Sequence, residues 1–219
     1  MIVTASQETY DRLLEKLLSG SYPPGTRLVN RKLASELGVS VIPVREALGR
    51  LASEGLVEHI PGAGSFSRNL SRKEIVKLYS FREQLESFAV REASANIQSY
   101  QLERLNRILE ESETCMANLL QDDSEHCGVT LNRWLELDAR FHETIIDAAD
   151  NQWLAHAVGS VRLLSHVTRT KPRHLTPQQC RKTLDEHIGI VSAIRTGDGD
   201  MAAMLMRRHL IFPINSLDD

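Results

Sequence analysis

The stretch LVNRKLASELGVSVIPVREALGRLASEGLVEHIPGAGSF at residues 28–66 decides how the first third of the chain folds. Two apolar patterns of helical spacing are separated by Gly38, which suits a left-handed C-cap, and by Ser40, a residue type that caps helix N-termini. A short apolar run over 56–60 and a glycine-containing turn over 61–64 then predict a β-hairpin. Two helices and such a hairpin form a winged helix-turn-helix, whose second helix enters the major groove of DNA.

The composition is that of an intracellular protein with two domains. The chain has 219 residues, 42% of them hydrophobic, and this length suits two domains of ordinary size. No apolar run reaches the roughly 18 residues of a membrane span, and the N-terminus lacks the basic and apolar regions of a signal peptide. Three cysteines without Cys-x-x-Cys spacing argue against a disulfide framework and a thiolate zinc site. We therefore expect a cytoplasmic protein without membrane association.

Positive charge is concentrated in the first third of the chain. Residues 1–70 carry eight Lys and Arg against seven Asp and Glu, whereas residues 71–219 carry eighteen against twenty-two. DNA affinity depends on basic side chains placed near phosphates, and not on the net charge of the protein. The residues expected to meet DNA are Arg27, Arg31, Ser40, Val41, Pro43, Arg45, Arg50, Gly62 and Gly64. Arginine most often reads guanine, so Arg45 is the principal candidate for base readout.

The chain from residue 71 onward predicts helices alone. Ser71 and Glu74 form a capping box that begins the first of them. Apolar periodicity predicts helices over 71–94, 98–121, 130–148, 153–169, 177–196 and 199–212. Helices of this number and length form an antiparallel bundle. The fold class is therefore mainly α, with a winged helix-turn-helix domain over 1–68 and an all-helical domain over 71–214.

Four polar residues interrupt the apolar faces of three predicted helices. Asp138 and His142 are four residues apart and so share one helix face, and His187 and His209 lie on the apolar faces of two later helices. Buried polar groups need partners, and one divalent metal would satisfy all four. This donor set suits Zn²⁺ first, with Ni²⁺, Mn²⁺ or Fe²⁺ as alternatives. The other explanation is that each is a hydrogen-bonded polar residue of the core.

Many motifs in the first third resemble the DNA-binding domain of GntR-type bacterial transcription regulators. The matching segments are YPPG at 22–25, GVS at 38–40, PVREAL at 43–48, EGLV at 54–57 and the Gly-x-Gly turn at 62–64. The resemblance leads one to expect Arg or another polar residue at Val41 and Ile42, and a basic residue at Ala63. Apolar side chains can contact a thymine methyl but cannot pair with guanine, so the operator sequence stays open.

The helical part resembles the effector-binding FCD domain of the FadR subfamily within that family. The matching segments are FRxxLE at 81–86, DxxxH at 138–142, NxxL at 151–154, EHxxI at 186–190, AIxxGD at 193–198 and MRRH at 206–209. In that domain the matching Asp and three His bind a metal, beside which a small carboxylate usually lies. The resemblance therefore implies the metal-dependent branch. Arg82 is the candidate partner of the effector carboxylate, unless it pairs with Glu86 or Glu83, and Arg162 is a second candidate.

Together these features predict a homodimeric regulator of a near-palindromic double-stranded DNA operator, controlled by a small carboxylate. The alternatives are a metal-dependent hydrolase or lyase that uses the same His and Asp residues, and a regulator whose metal is structural or is itself the signal. The direction of regulation stays open.

Overall fold

A computed structural model of the chain describes residues 4–121, 127–168 and 176–215, with side chains described over 4–118, 132–168 and 176–210. The helices within these ranges are α1 (Ala5–Leu18), α2 (Asn30–Leu37), α3 (Val41–Ser53), α4 (Arg72–Asn96), α5 (Ser99–Gln121), α6 (Cys127–Ala148), α7 (Gln152–Val167), α8 (Pro177–Arg195) and α9 (Gly199–Asn215). The strands are β1 (Arg27–Leu28), β2 (Val57–Ile60) and β3 (Gly64–Ser67). No helix of the described chain is long and apolar enough to cross a bilayer.

The chain divides into two compact units. The first contains the described residues of 1–78 and 160–172, and the second contains those of 79–159 and 173–219. The helices α4 and α7 each contribute residues to both units.

The first unit contains a three-stranded antiparallel sheet in the order β1-β3-β2. The predicted hairpin is present, with Glu58 opposite Phe66 across β2 and β3. Arg27 faces the same Phe66 from the other side, through β1. This third strand was not predicted, because two residues are too few to show the alternation that identifies a strand.

The turn between α2 and α3 follows the predicted glycine chemistry. Gly38 has φ 68°, the left-handed conformation that glycine adopts without a steric penalty. Ser40 occupies the N-cap position of α3 with extended backbone, but its side chain makes no capping hydrogen bond. The predicted role of Ser40 as a side-chain cap is therefore wrong, although its position is right.

The core of the first unit is formed by the apolar faces of α1, α2 and α3. Leu13, Val44, Leu51 and Leu56 are each at most 1% exposed. Val167, from the last turn of α7, is buried in the same cluster. Burying each such side chain contributes about 1.5–3 kcal/mol, so this core holds the position of α3.

The six helices predicted from residue 71 onward are all present, with ends within three residues of the expected positions. Residue 169, the predicted end of α7, lies outside the described residues. The capping box is formed, since the backbone N–H of Ser71 donates to Glu74 and that of Glu74 donates to the Ser71 hydroxyl. The fully buried side chains of the second unit include Leu105, Phe141 and Leu184. The mainly α fold class is thus confirmed.

Candidate metal centre and DNA-binding surface

The four predicted metal ligands come together in the second unit. Asp138 and His142 lie one turn apart on α6, while His187 is on α8 and His209 on α9. One ligand atom from each residue lies within 4.8 Å of all the others. Three helices that bury apolar faces against a common core therefore bring together residues up to 71 positions apart in the sequence.

The three imidazole rings meet through the same atom. Nε2 of His209 lies 3.3 Å from Nε2 of His142 and 3.4 Å from Nε2 of His187. Oδ1 of Asp138 lies 4.0 Å from Nε2 of His142 and 3.8 Å from Nε2 of His187. Zinc binds nitrogen and oxygen ligands at about 2.0–2.2 Å, so ligands of one ion lie roughly 3–3.5 Å apart. The nitrogen separations fit a shared ion, and the carboxylate is slightly more distant.

The rings are buried and the carboxylate is not. His142 and His187 are each 2% exposed and His209 is 8% exposed, whereas the side chain of Asp138 is 27% exposed. The His187 ring stacks on Phe141, with centroids 3.8 Å apart and planes 10° apart. The cluster therefore has an apolar interior side, and its most exposed side chain is that of Asp138.

Two buried carboxylates lie behind the histidines. Oε2 of Glu86 is 2.6 Å from Nδ1 of His142, a close polar contact rather than an aligned hydrogen bond. Oε2 of Glu186 is 2.9 Å from Nδ1 of His209. Sequence reasoning did not assign either glutamate to the site, since glutamates on helices are almost always exposed unless paired. The available signals were the four-residue spacing of Arg82 and Glu86, and the position of Glu186 next to a predicted ligand.

Arg82 forms a buried ion pair with Glu86. Its Nε and Nη2 each lie 2.8 Å from Oε1 of Glu86, and the two side chains are 6% and 2% exposed. Burial acts to lower the pKa of the Arg82 guanidinium, but the Glu86 carboxylate opposes this effect and the net pKa is raised. The pairing with Glu86 considered from the sequence is thus present, and a contact of Arg82 with an effector stays a prediction.

Arg162 is the second predicted effector-binding residue. It belongs to the first unit, and its effector-binding role also stays a prediction.

Two of the cysteines are buried thiols. Cys115 and Cys180 are buried, and burial, followed by the neighbouring Cys115, raises the pKa of Cys180 to about 11. A thiol of such high pKa stays protonated near neutral pH and makes a poor metal ligand.

The predicted DNA-binding side chains lie on two parts of the winged helix. Ser40, Val41 and Arg45 are exposed at the N-terminal end of α3, and Arg31 is exposed on α2. Pro43 is half-buried in the first turn of α3. This arrangement leaves the N-terminal turns of α3 accessible, as docking in a major groove requires.

The tip of the wing brings together the remaining predicted glycines and one arginine. Gly62 and Gly64 have φ angles of 78° and 112°, which L side chains rarely adopt. A Cβ at Gly64 would lie 3.7 Å from Nε of Arg27, so this exposed arginine lies over the wing.

Arg50 is exposed but engaged within the protein. Its Nε lies 3.1 Å from Glu54, its Nη1 donates to Gln7 at 2.7 Å, and its guanidinium lies 3.7 Å from the centre of the Tyr10 ring. These contacts link α3 to α1. A DNA contact by Arg50 stays a prediction, and would have to replace some of these contacts.

The sequence matches two protein-family models. The one described as "Bacterial regulatory proteins, gntR family" covers residues 5–66, and the one described as "FCD domain" covers residues 77–212. Both fall on the parts of the chain identified above from motifs and helix patterns.

Relatives and solved structures cover most of the chain. The Nta operon transcriptional regulator of Aminobacter aminovorans is 30% identical over 193 residues, which are 88% of this chain and 85% of that protein. The gluconate operon transcriptional repressor of Bacillus licheniformis is 30% identical over 205 residues, 90% and 77% of the two chains. The structure of E. coli McbR/YncC matches with a TM-score of 0.79 over 100% of both chains at 19% identity, which shows a shared fold. The chain therefore belongs to the GntR family, with an FCD domain that fits the FadR subfamily, and is a transcription regulator and not an enzyme.

Proposed function

We propose that operator binding by this regulator is controlled by a small carboxylate metabolite bound at a divalent metal, zinc foremost, in the helical domain. In this proposal residues 1–68 bind DNA, and residues 71–214 bind the metal and the effector and form the homodimer. The observation that supports it most strongly is the convergence of three buried Nε2 atoms and the Asp138 carboxylate within 4.8 Å.

The donor set fits a metal better than a set of ordinary core residues. Nε2 of His209 lies 3.3 Å from Nε2 of His142 and 3.4 Å from Nε2 of His187. Each neutral ring offers either one donor or one acceptor at that atom, so His209 can form a hydrogen bond with only one of the other two rings. Asp138, His142, His187 and His209 would hold the ion. A bound metal would supply an electrophilic centre for a carboxylate oxygen of the effector.

The effector class rests on chemistry and on one relative. The name of the Bacillus licheniformis relative refers to a gluconate operon, and gluconate is a sugar acid with a carboxylate. Arg82 is the side chain that we propose for the carboxylate of the effector, and Arg162 is the second candidate. Arg82 would have to contact it while paired with Glu86. The same relative is named a repressor, which favours repression by this chain in the cytoplasm, where bacterial DNA lies.

On DNA, two winged helices of a homodimer would occupy the two halves of a near-palindromic operator. Arg27, Arg31 and Arg45 would provide contacts to phosphates and bases. Effector binding would shift the population between dimer conformations that differ in the distance between the two winged helices. The apolar Val41 and Ile42 lie in the first turn of α3, the part that we expect to contact base edges. We therefore expect fewer charged contacts with DNA than an arginine-rich helix makes.

The test combines metal analysis with DNA binding. Full-length protein is analysed for bound metal, and a DNA duplex enriched by in vitro selection is titrated with protein, with and without chelator and small carboxylates. We expect one metal ion per chain, loss of that ion in His187→Ala, and retention in the exposed control His156→Ala. Carboxylates should change DNA affinity only when metal is present.

Other outcomes would overturn parts of the proposal. Unchanged metal content in His187→Ala would remove the site assignment. A metal whose loss unfolds the helical domain, with no carboxylate affecting DNA binding, would make the metal structural. A change of DNA affinity by metal alone would make the metal the signal.

A further inference from the structure

We propose that Glu86 and Glu186 are positioning residues that orient His142 and His209, so that both rings present Nε2 to the metal before it binds. This inference rests on the proposed metal function and deepens it. Both glutamates are buried, at 1% and 7% exposure. Each lies within 2.9 Å of the ring nitrogen that points away from the cluster.

The orientation follows from the chemistry of the two groups. An ionised carboxylate can only accept hydrogen bonds, and a neutral imidazole carries its proton on one nitrogen. A ring nitrogen lone pair beside a carboxylate oxygen 2.6 Å or 2.9 Å away would be repelled by it. Nδ1 of His142 and of His209 therefore carries the proton, and Nε2 keeps the lone pair that a metal needs.

Arg82 holds one of these carboxylates in place. Its two 2.8 Å contacts reach Oε1 of Glu86, while Oε2 of the same carboxylate faces His142. Charge-assisted contacts of this kind are stronger than neutral ones. A continuous series of contacts thus runs from Arg82 through Glu86 and His142 to the centre of the cluster.

The ring of His187 stacks on an aromatic side chain. Its ring lies parallel to Phe141 at 3.8 Å, so packing determines the plane of the ring. Ring stacking thus positions His187, and a glutamate lies against each of the other two histidines.

The charges of the cluster point to a divalent ion. With neutral imidazoles, the carboxylates of Asp138, Glu86 and Glu186 and the guanidinium of Arg82 sum to a charge of −2. Glu86, Glu186 and Arg82 are buried and Asp138 is 27% exposed, so part of this charge lies in a medium of low polarity, where uncompensated charge is costly. A dication would neutralise this group, whereas a monovalent ion would leave one negative charge.

The first experiment measures zinc affinity by competition with a chelating indicator in the full-length protein. Glu86→Gln and Glu186→Gln keep the size of the side chain and remove its charge, and each should bind zinc about 10- to 100-fold more weakly. Glu143→Gln is the matched control, since Glu143 is exposed and follows His142 directly. Equal affinities in all four proteins would overturn the inference. If Glu86→Gln fails to fold, Glu186→Gln decides.

The second experiment reads the ring protonation itself. Long-range ¹H–¹⁵N correlation spectra of the metal-free protein, assigned with His142→Gln and His209→Gln, distinguish the Nδ1–H from the Nε2–H tautomer. In wild type we expect the Nδ1–H tautomer for both rings. We expect a mixture of tautomers for His142 in Glu86→Gln and for His209 in Glu186→Gln. Nε2–H in wild type would overturn the inference. A wild type that binds no zinc would overturn the metal proposal alone, because the tautomers still decide the role of the glutamates.

Discussion

Replacing Arg82 with methionine should destabilise the helical unit far more than the same change at Arg181. The two arginines make ion contacts of nearly equal length, 2.8 Å from Arg82 to Glu86 and 2.7 Å from Arg181 to Glu113. The first pair is 6% and 2% exposed, whereas the second is 48% and 52% exposed. Distance is thus held constant while burial changes.

The expected magnitudes follow from burial. Removing one partner of a buried pair leaves an uncompensated charge and costs about 3–5 kcal/mol. Nδ1 of His142 lies 2.6 Å from the same carboxylate and can donate to it, so we expect the lower end of that range, about 3 kcal/mol, for Arg82→Met. An exposed pair contributes about 0–1 kcal/mol, so Arg181→Met should cost at most about 1 kcal/mol. The double variant Arg82→Met with Glu86→Gln should recover most of the loss, because no buried charge is left without a partner.

The assay is urea unfolding followed by tryptophan fluorescence. Both tryptophans of the chain, Trp134 and Trp153, belong to the helical unit, and Trp134 is 4% exposed in its core. The signal therefore reports this unit and not the winged helix. Chelator is added throughout, so that metal binding does not shift the apparent stability. Equal losses for Arg82→Met and Arg181→Met, both below about 1 kcal/mol, would refute the reasoning.

Further predictions concern the winged helix. The pKa of Tyr10 is raised from 10.0 to about 12, first by burial and then by its hydrogen bond to Glu54. The protonated Tyr10 therefore contributes about 2–3 kcal/mol of folding stability below pH 10, and this contribution is lost as the pH rises towards 12. Calorimetry should show that Tyr10→Phe removes this pH dependence. Arg45→Gln should weaken specific DNA binding by about 1–3 kcal/mol, as measured by fluorescence anisotropy. Arg50→Gln should lower the thermal stability of the winged helix and change DNA affinity less than Arg45→Gln, because Arg50 is bound within the protein. Uracil lacks the methyl group of thymine, so replacing thymine with uracil at single positions of a selected duplex should weaken DNA binding by wild type at one or more positions. At such a position, the same replacement should leave the DNA affinity of the Ile42→Ala variant unchanged.

The sequence predicted the fold class and most helix ends because local rules govern them. Periodic apolar residues, the glycine at 38 and the capping box at 71–74 act within a few residues of chain, so they can be read without knowledge of the fold. The strand β1 was missed and the Ser40 side-chain cap was wrong. Both depend on small geometric details of neighbouring chain segments that the sequence does not show.

The candidate site shows the same division. The spacing of Asp138 and His142 on one helix face, and the polar residues on two other apolar faces, were sufficient to predict which four residues come together. The roles of Glu86 and Glu186 were not predictable, because a glutamate on a helix is normally solvated. Only tertiary packing decides which glutamates lose their water and face a histidine.

By itself, then, the sequence determined the two kinds of domain and which four candidate metal ligands come together, and it predicted that the N-terminal turns of α3 contact DNA. The tertiary structure decided that Arg50 contacts Gln7 and Tyr10, that Arg82 is paired with Glu86, and that the histidines present Nε2 to one another. The physical reason is that periodicity specifies which face of a helix is buried. The partner of each buried polar atom is specified only when helices distant in the sequence pack together.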